Sequence, residues 1–420
     1  MKICILTLGC KVNKYESDAL MNNLLEKGYD VSEELERADV YVINTCAVTA
    51  EAEKKSRQMI AKCRKLNNFS KIFICGCASE HNPKQFIEKD VTYVSGVAGK
   101  LKITEFIDNL STETKNLENI LPLPKQYEDN LFAKQSRTRA YIKIQDGCDN
   151  FCSYCIIPYL RGRSRSRELS SILEEAQKLD DNIKEIVLTG INVTDYKING
   201  EKGLLKLLQK LDKLGKRLRL SSMEESLMTE DFVQGLSKLK NFCPHFHLSL
   251  QSGCDETLKR MNRHYTTKQF KESVDLIRKF FSLPGITTDV IVGFPNETEE
   301  EFNKTYEFIK AVNFSQLHIF PYSQRQGTAA SKLYKDLPHY IKQERFNRLN
   351  ELNNLLKKQF IEENKNVEVL VEEKIGDYYV GYSKNYIRCY ISSNQDIVNQ
   401  VVKAVIEKTY QDGVICQKYE

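Results

Sequence analysis

Short apolar runs alternate with helical periods over the first hundred residues. Ile3–Leu8 predicts a strand, and Leu20, Leu24 and Leu25 then return at helical spacing. Val40–Ile43 predicts a second strand and Ala50–Leu66 a charged helix. Ile72–Cys75 predicts a third strand, a helix follows near Pro83–Glu88, and Val91–Val94 predicts a fourth strand. Strand–helix alternation of this kind implies a parallel sheet with helices on its faces. The periodicity then lapses. Ser111-Thr-Glu-Thr-Lys-Asn and Leu121-Pro-Leu-Pro-Lys-Gln-Tyr-Glu-Asp-Asn read as a linker.

The alternation restarts at residue 139. Strands are expected at Tyr141–Gln145, Glu185–Thr189, Leu218–Ser221, Phe246–Leu250, Thr287–Val292 and Leu317–Pro321, with helices at 168–180, 203–213, 229–239, 266–280 and 299–311. Strand–helix units in series suggest a curved parallel sheet or partial (β/α)6 barrel, whose chemistry belongs at the carboxyl-terminal rim. Pro338 opens a long helix striped by Ile341, Leu349, Leu352, Leu356 and Phe360. The last segment changes character. Val367–Val371, Tyr378–Tyr382, Tyr386–Ile391, Val401–Ile406 and Val414–Cys416 are short strands between polar turns, which suggests a small closed β-barrel. The fold class is therefore α/β with an all-β end. It has an amino-terminal domain over 1–110, a linker over 111–138, a central domain over 139–365 and a terminal barrel over 366–420.

Composition narrows this little. The 420 residues are 41% hydrophobic and 28% charged, as in ordinary soluble proteins. The net charge is +5, mildly basic, which permits a nucleic-acid partner. Residues 139–365 carry +6 and the terminal barrel −2, so phosphate attraction is expected mainly from the central domain. No apolar run reaches about 18 residues, so no membrane span is expected. The opening run Met1–Gly9 lacks a small-residue cleavage site and reads as a strand rather than a signal peptide. Thirteen cysteines without a secretory signal point to the reducing cytoplasm, where clustered cysteines are more often metal ligands than disulfides.

The cysteines carry the chemistry. The first three strands run into Gly9-Cys10, Asn44-Thr45-Cys46 and Cys75-Gly76-Cys77, and ligand sites in open parallel sheets gather beyond the carboxyl ends of strands. Cys75 lies in the apolar alternation of its strand and Cys77 beyond it after a glycine, so Cys77 is preferred as the third ligand, with Cys75 the alternative. The central domain's first strand ends in Cys148-Asp-Asn-Phe-Cys152-Ser-Tyr-Cys155. Three thiolates on one short loop suit one face of a [4Fe–4S] cube and leave one iron open. A structural zinc site needs a fourth ligand, and no further cysteine or histidine stands nearby. Cys4, Cys63, Cys243, Cys254, Cys389 and Cys416 read as structural. His81, His245, His247, His264, His318 and His339 form no metal-spaced set.

The Cys148–Cys155 loop, with Tyr154 just before its last cysteine, resembles that of radical S-adenosylmethionine enzymes. The resemblance implies a cluster whose open iron chelates S-adenosyl-L-methionine and whose electron releases a 5′-deoxyadenosyl radical. Leu8-Gly-Cys10-Lys-Val-Asn13, Asn44-Thr-Cys46, Gly76-Cys77, Lys143-Ile-Gln-Asp-Gly-Cys148, Ser249-Leu-Gln-Ser-Gly and Asp289-Val-Ile-Val-Gly-Phe-Pro resemble the methylthiotransferases among them. That resemblance covers essentially the whole chain. It implies a second [4Fe–4S] cluster on Cys10, Cys46 and Cys77, a TRAM-like RNA-binding barrel at the end, and tRNA as substrate. Leu8-Gly-Cys-Lys-Val-Asn-Lys-Tyr-Glu-Ser, Asn44-Thr-Cys-Ala-Val-Thr and Lys55-Ser-Arg-Gln are most similar to the subfamily acting on N6-threonylcarbamoyladenosine at position 37, in the anticodon stem-loop. Lys11-Val12 departs from relatives acting on isopentenyladenosine or on a ribosomal-protein aspartate. A sulfur source and a one-electron donor such as a flavodoxin or ferredoxin are implied.

Softer expectations follow. By the same resemblance Tyr154 would lie along the adenine of S-adenosylmethionine, Thr189-Gly190 near its methionyl amine, and Ser221, Glu224 and Gln251 near its ribose or methionyl group. Arg161, Arg163, Arg165 and Arg167 alternate with small residues and are expected on tRNA phosphates, since arginine forks suit phosphate. The threonylcarbamoyl group bears a carboxylate, so an Arg or Lys near the rim is also expected. Tyr378, Tyr379, Tyr382, Tyr386 and Tyr390 are candidate base-stacking rings. The non-enzymatic rival is an RNA-binding or redox-sensing iron–sulfur protein.

Overall fold

The structure is a computed structural model, which describes residues 1–110, 117–129, 132–133 and 138–419. The first sheet is parallel throughout. Lys2–Thr7, Val40–Thr45 and Lys71–Gly76 form its buried middle, with Asp30–Ser32 on one edge and Tyr93–Ser95 on the other side. Alternate residues feed two cores. Ile72, Ile74 and Ile43 face one side with Cys77, while Phe73, Val42 and Cys75 face the other. Helices Lys11–Glu26 and Ala50–Leu66 cover the sheet. Leu117–Asn119, within the stretch read as a linker, is a sixth strand paired with Tyr93–Ser95. Three residues of Leu-Glu-Asn carry no readable period, so only pairing reveals them. Ser111-Thr-Glu-Thr-Lys-Asn lies outside the described residues.

Six parallel strands make the central domain: Arg139–Lys143, Glu185–Thr189, Arg217–Leu220, His245–Gln251, Gly285–Val292 and Gln316–Pro321. They form two three-stranded sheets joined by single bridges, Leu218 to Phe242 and Met223 to Leu248. The strands therefore follow chain order around one curved wall. Ile142, Leu188, Leu218, Leu248 and Ile286 pack outward against Leu207, Val233, Val274 and Ile309 of the surrounding helices. Each such side chain contributes about 1.5–3 kcal/mol on burial. The inner face alternates with them and is polar: His247, Ser249 and Gln251 on the fourth strand, Asp289 on the fifth, His318 on the sixth. Helices Thr267–Phe280 and Glu299–Val312 start at full capping boxes on Thr266 and Thr298.

Asn366–Ile375, Tyr378–Ser383, Arg388–Ile391, Val401–Tyr410 and Gly413–Lys418 close a five-stranded barrel. It docks at the amino-terminal ends of the central strands. Arg139 pairs with Glu372 at 2.6 Å and Arg217 with Glu368 at 2.8 Å, while Arg219 donates to the Ser383 and Lys384 carbonyls. This docking and the barrel's own packing take up four of the five tyrosines read as a stacking platform, while Tyr378 stays half-exposed. Tyr379 fills the barrel core, and Tyr390 is buried with its hydroxyl on Asp412 at 2.6 Å. Tyr382 and Tyr386 stack on each other and lie under Arg139 and Arg219, with Tyr386 also on His245 at 4.3 Å. Tyr378 packs on Tyr390 and Tyr410. Strand propensity and domain docking account for where these rings sit.

Candidate active site

Cys10, Cys46 and Cys77 follow the ends of three neighbouring strands, and local hydrogen bonds draw those ends together. Asn13 donates from Nδ2 to the Leu8 and Thr45 carbonyls at 2.8 and 3.0 Å, tying the Cys10 turn to the Cys46 strand. The Thr45 hydroxyl donates to the Cys75 carbonyl at 2.7 Å and accepts from the Ala78 amide at 3.2 Å, tying that strand to Cys77. Gly9 has φ +101°, and a Cβ there would lie 2.8 Å from the Cys46 thiol, so only glycine fits. Gly76, at φ +104°, would meet the Thr45 carbonyl at 2.5 Å. Cys10 is exposed, while Cys46 and Cys77 are buried at its side. Burial pushes the Cys46 thiol up to about 11, and the Cys77 and Cys10 thiols add to the rise. Cys75 points into the opposite core with Phe73 and Ile103.

The second triplet sits on a loop held from both sides. Gly147 has φ +73°, and a Cβ would fall 2.0 Å from the Arg163 carbonyl. The Cys148 amide donates to Gly162 at 3.1 Å, the Ser153 amide to Met261 at 2.9 Å, and Asn262 to the Asn150 and Phe151 carbonyls. Burial raises Cys148 and Cys155 to about 12, with Cys152 adding to both. All the cysteines are free thiols. No three Cys, His, Asp or Glu side chains among the described residues are placed to hold a single metal ion. A cubane spreads its ligands over separate iron corners, so two mutually interacting thiol triplets, each with a buried cysteine and a more accessible one, fit clusters rather than ions.

The arginine run does not do what its pattern predicts. Arg161 is only 1% exposed, and donates to Glu16 at 3.0 Å, Asp146 at 3.1 Å and Asn13 at 2.7 Å. Arg165 is buried on the Arg161 and Arg163 carbonyls, 3.5 Å from Asp146. Arg167 is 1% exposed and engages Glu175, Asp129 and the Tyr15 hydroxyl. Buried and paired, these three cannot meet phosphate. Arg163 alone is open, its side chain 73% exposed over the Phe151 ring.

Arg161 and Arg167 join the domains instead, and Arg165 supports them from within the central one. Glu16 of the first helix takes Lys100, Lys143 and Arg161, and Asp146 takes Lys143, Arg161 and Arg165. Four cations face two carboxylates, and the surplus lies beside Cys77, whose thiol is raised by burial but pulled back by Arg161 and Lys100. Helix Ile157–Arg161, directly after Cys155, packs on helix Cys77–His81, and Ile156 and Leu160 share one apolar core with Cys77. Both triplets thus border one interdomain face. Glu16, Lys100, Lys143 and Asp146 are not identified by sequence reasoning, because their partners lie up to 145 positions away.

The other expected residues gather at the rim. Tyr154 packs beside Met261, Phe294 and Tyr322. Thr189 is buried at its strand end, and Gly190 is pressed on Gln145. Ser221 is buried with its hydroxyl unpartnered among the described residues. Glu224 accepts from Asn150 at 2.6 Å, and Gln251 has φ +66° at the strand terminus. Arg263 escapes the sequence reading. It donates to the Cys152 sulfur at 3.3 Å, pairs with Glu224 at 2.9 Å and stacks on Tyr265. Its setting in Met-Asn-Arg-His-Tyr offers no pattern to find it by.

A curved six-stranded wall with a three-cysteine loop after its first strand defines a radical S-adenosylmethionine protein. A family profile described as "Radical SAM superfamily" matches residues 142–309, and one described as "Uncharacterized protein family UPF0004" matches residues 2–99. Among solved structures, the radical S-adenosylmethionine methyltransferase TsrM from Kitasatospora setae superposes with TM-score 0.55 at 14% identity, covering 79% of this chain and 74% of that one, a likeness of fold alone. "Threonylcarbamoyladenosine tRNA methylthiotransferase MtaB" of Bacillus subtilis is 39% identical over 97% of this chain and 94% of its own length. The protein of that name from Thermotoga maritima is 35% identical over 97% and 95%. "tRNA-2-methylthio-N(6)-dimethylallyladenosine synthase" of a Hydrogenobaculum species is 32% identical over 99% of both. The chain belongs to the methylthiotransferase family of radical S-adenosylmethionine enzymes. Enzymes of this family work with S-adenosylmethionine and two iron–sulfur clusters.

Proposed function

We propose that this enzyme adds a methylthio group to C2 of N6-threonylcarbamoyladenosine at position 37 of tRNA. The observation that carries the reading is the pair of cysteine triplets on one interdomain face, with Arg161 between Cys77 and the loop of Cys148, Cys152 and Cys155. Similarity of 35–39% to relatives named for threonylcarbamoyladenosine supports the substrate. Cys148, Cys152 and Cys155 would hold one [4Fe–4S] cluster and Cys10, Cys46 and Cys77 the other. When bound, the first cluster with S-adenosylmethionine supplies radical chemistry and the second supplies sulfur.

The chain's own residues bind and orient. The unpartnered Ser221 hydroxyl, Glu224 and the Gln251 turn line the rim where S-adenosylmethionine would lie, with Tyr154, Thr189 and Gly190 beside them. Arg263 holds Cys152 and Glu224 in one geometry. The first helix and the Arg161 network close the interdomain face against water. Arg163, the one open arginine of the run, remains available to a tRNA phosphate. A low-potential electron donor such as a flavodoxin or ferredoxin, a sulfide or persulfide source, and a cytoplasmic site of action complete the reading.

Two measurements test it. Anaerobic reconstitution with S-adenosylmethionine, dithionite and a modified anticodon stem–loop should yield 5′-deoxyadenosine and the 2-methylthio nucleoside. In a deletion strain that nucleoside should vanish from tRNA. Its persistence, or a product formed only on isopentenyladenosine, would overturn the assignment.

A further inference from the structure

The terminal barrel, the long helix His339–Glu363 and the last two strands of the central wall border a cavity of about 270 Å³. No cysteine of either triplet lines it. Thr287 and His318 face it from the wall, Lys357 and Phe360 from the helix, and Tyr382 and Arg388 from the barrel.

Most polar groups of this lining already have partners. The Thr287 hydroxyl bonds His245 at 3.0 Å and His247 at 2.9 Å. Arg388 donates to Asp412 at 2.5 Å, and Asp412 also accepts from the Tyr390 hydroxyl at 2.6 Å. Asn385 donates to Asn364 at 2.7 Å. Lys357 and His318 differ. Both are half-buried, and among the described residues neither makes a hydrogen bond or ion pair. Burial lowers the His318 pKa, with His247 and Lys357 adding to the fall, so the ring is neutral at pH 7 and offers one N–H. Arg388 and Asp412 cancel, which leaves the cavity one positive charge without a counter-ion. Such a charge favours an anionic ligand. A phosphodiester carries a single negative charge and matches it, whereas a phosphomonoester carries nearly two.

The position suits RNA as well. Ile291 stands four residues beyond Thr287 on the same face of the fifth strand and shares an apolar cluster with Tyr154 of the radical loop. At about 3.3 Å per residue the cavity lies about 13 Å from that layer. When an adenosine reaches the loop, the phosphates of its own and neighbouring nucleotides come within such a range. We propose that this cavity, at the seam of barrel and central domain, holds one backbone phosphodiester of the tRNA, with the Lys357 ammonium as its counter-ion and His318 as a second donor. The inference rests on tRNA being the substrate, not on which modified adenosine is acted on. It gives the RNA backbone a second hold besides Arg163, from a helix whose sequence shows only an apolar stripe.

The test uses the reconstituted full-length protein and a fluorescein-labelled anticodon stem–loop, either unmodified or carrying N6-threonylcarbamoyladenosine. Fluorescence anisotropy gives Kd over a series of potassium chloride concentrations. Lys357→Met should weaken binding of both RNAs about tenfold at low salt. It should also lower the slope of log Kd against log salt by about 0.7–0.9, the loss of one phosphate contact. Lys357→Arg should keep the wild-type slope. Lys268→Met, which removes an exposed charge from an outer helix, should leave it unchanged. The slope does not depend on the active fraction of a sample, so partial unfolding or lost iron does not imitate the result. An unchanged slope in Lys357→Met, or an equal fall in Lys268→Met, overturns the proposal. A cavity serving free phosphate overturns it too: inorganic phosphate would then raise the melting temperature of wild type but not of Lys357→Met, whose RNA slope would stay at the wild-type value. If both RNAs bind as expected but the modified one gives no methylthio product, the substrate reading fails and the phosphate site stands.

Discussion

The alternating arginines show what a single residue's partners decide. Arg161 and Arg163 stand on either side of Gly162, yet one is sealed and the other open. Removing Arg161 takes one donor each from Glu16, Asp146 and Asn13, while Lys100, Lys143 and Arg165 still face the two carboxylates. Arg161→Met should therefore cost about 1–3 kcal/mol. Arg163→Ala should stay within about 0.5 kcal/mol. Urea unfolding followed by far-UV circular dichroism measures both, and equal losses would mean that the interface network is not what holds Arg161. The difference is invisible along the chain, because an arginine–small alternation looks like a solvated face until Glu16 is brought from 145 positions away. The cysteines are easier to place. Strand alternation puts Cys75 with the core, and a glycine puts Cys77 beyond it, which is how the two cores divide them.

At the scale of elements, the strands of the first and central domains are legible because each is a buried apolar run between helical periods. Leu117–Asn119 is not, since an exposed three-residue edge strand has no pattern of its own. The loop carrying Cys148, Cys152 and Cys155 depends on a feature in between: its spacing is plain in the sequence, but its shape hangs on Gly147. A Cβ there would overlap the Arg163 carbonyl, and the left-handed backbone adds strain. Gly147→Ala should displace the loop while leaving the Cys10, Cys46 and Cys77 ends untouched. Iron analysis after anaerobic reconstitution should fall to about half of the wild-type content, one [4Fe–4S] cluster instead of two. Production of 5′-deoxyadenosine should cease. Full iron content with normal S-adenosylmethionine cleavage would show that the loop tolerates the change.

At the scale of the molecule, docking of the first domain on the second is held by carboxylates with depressed pKa values, and that makes it acid-sensitive. Burial alone would raise Glu53, but hydrogen bonds from His81, Gln85 and Arg325 outweigh it and hold the carboxyl at about 2, against an ordinary 4.5. Burial would likewise raise Asp146, and Lys143 and Arg161 bring it from 3.8 down to about 2. Glu16 is also held well below its usual range, its burial outweighed by Arg161, Lys100 and Lys143. A carboxyl depressed in the folded state stabilises above its unfolded pKa, and that contribution is lost as pH falls toward the folded value. Glu175 works the other way, raised by burial despite Arg167, and offsets part of the effect. The urea midpoint of the full chain should therefore change little down to about pH 5 and fall steeply from pH 4.5 toward 2. Arg325→Met removes the 2.7 Å contact to Glu53 that crosses between the domains, so it should lower the midpoint at neutral pH and flatten the acid slope. A midpoint that rises on acidification, or a slope unchanged in Arg325→Met, would place the acid-sensitive charges away from the interface between the two cysteine triplets.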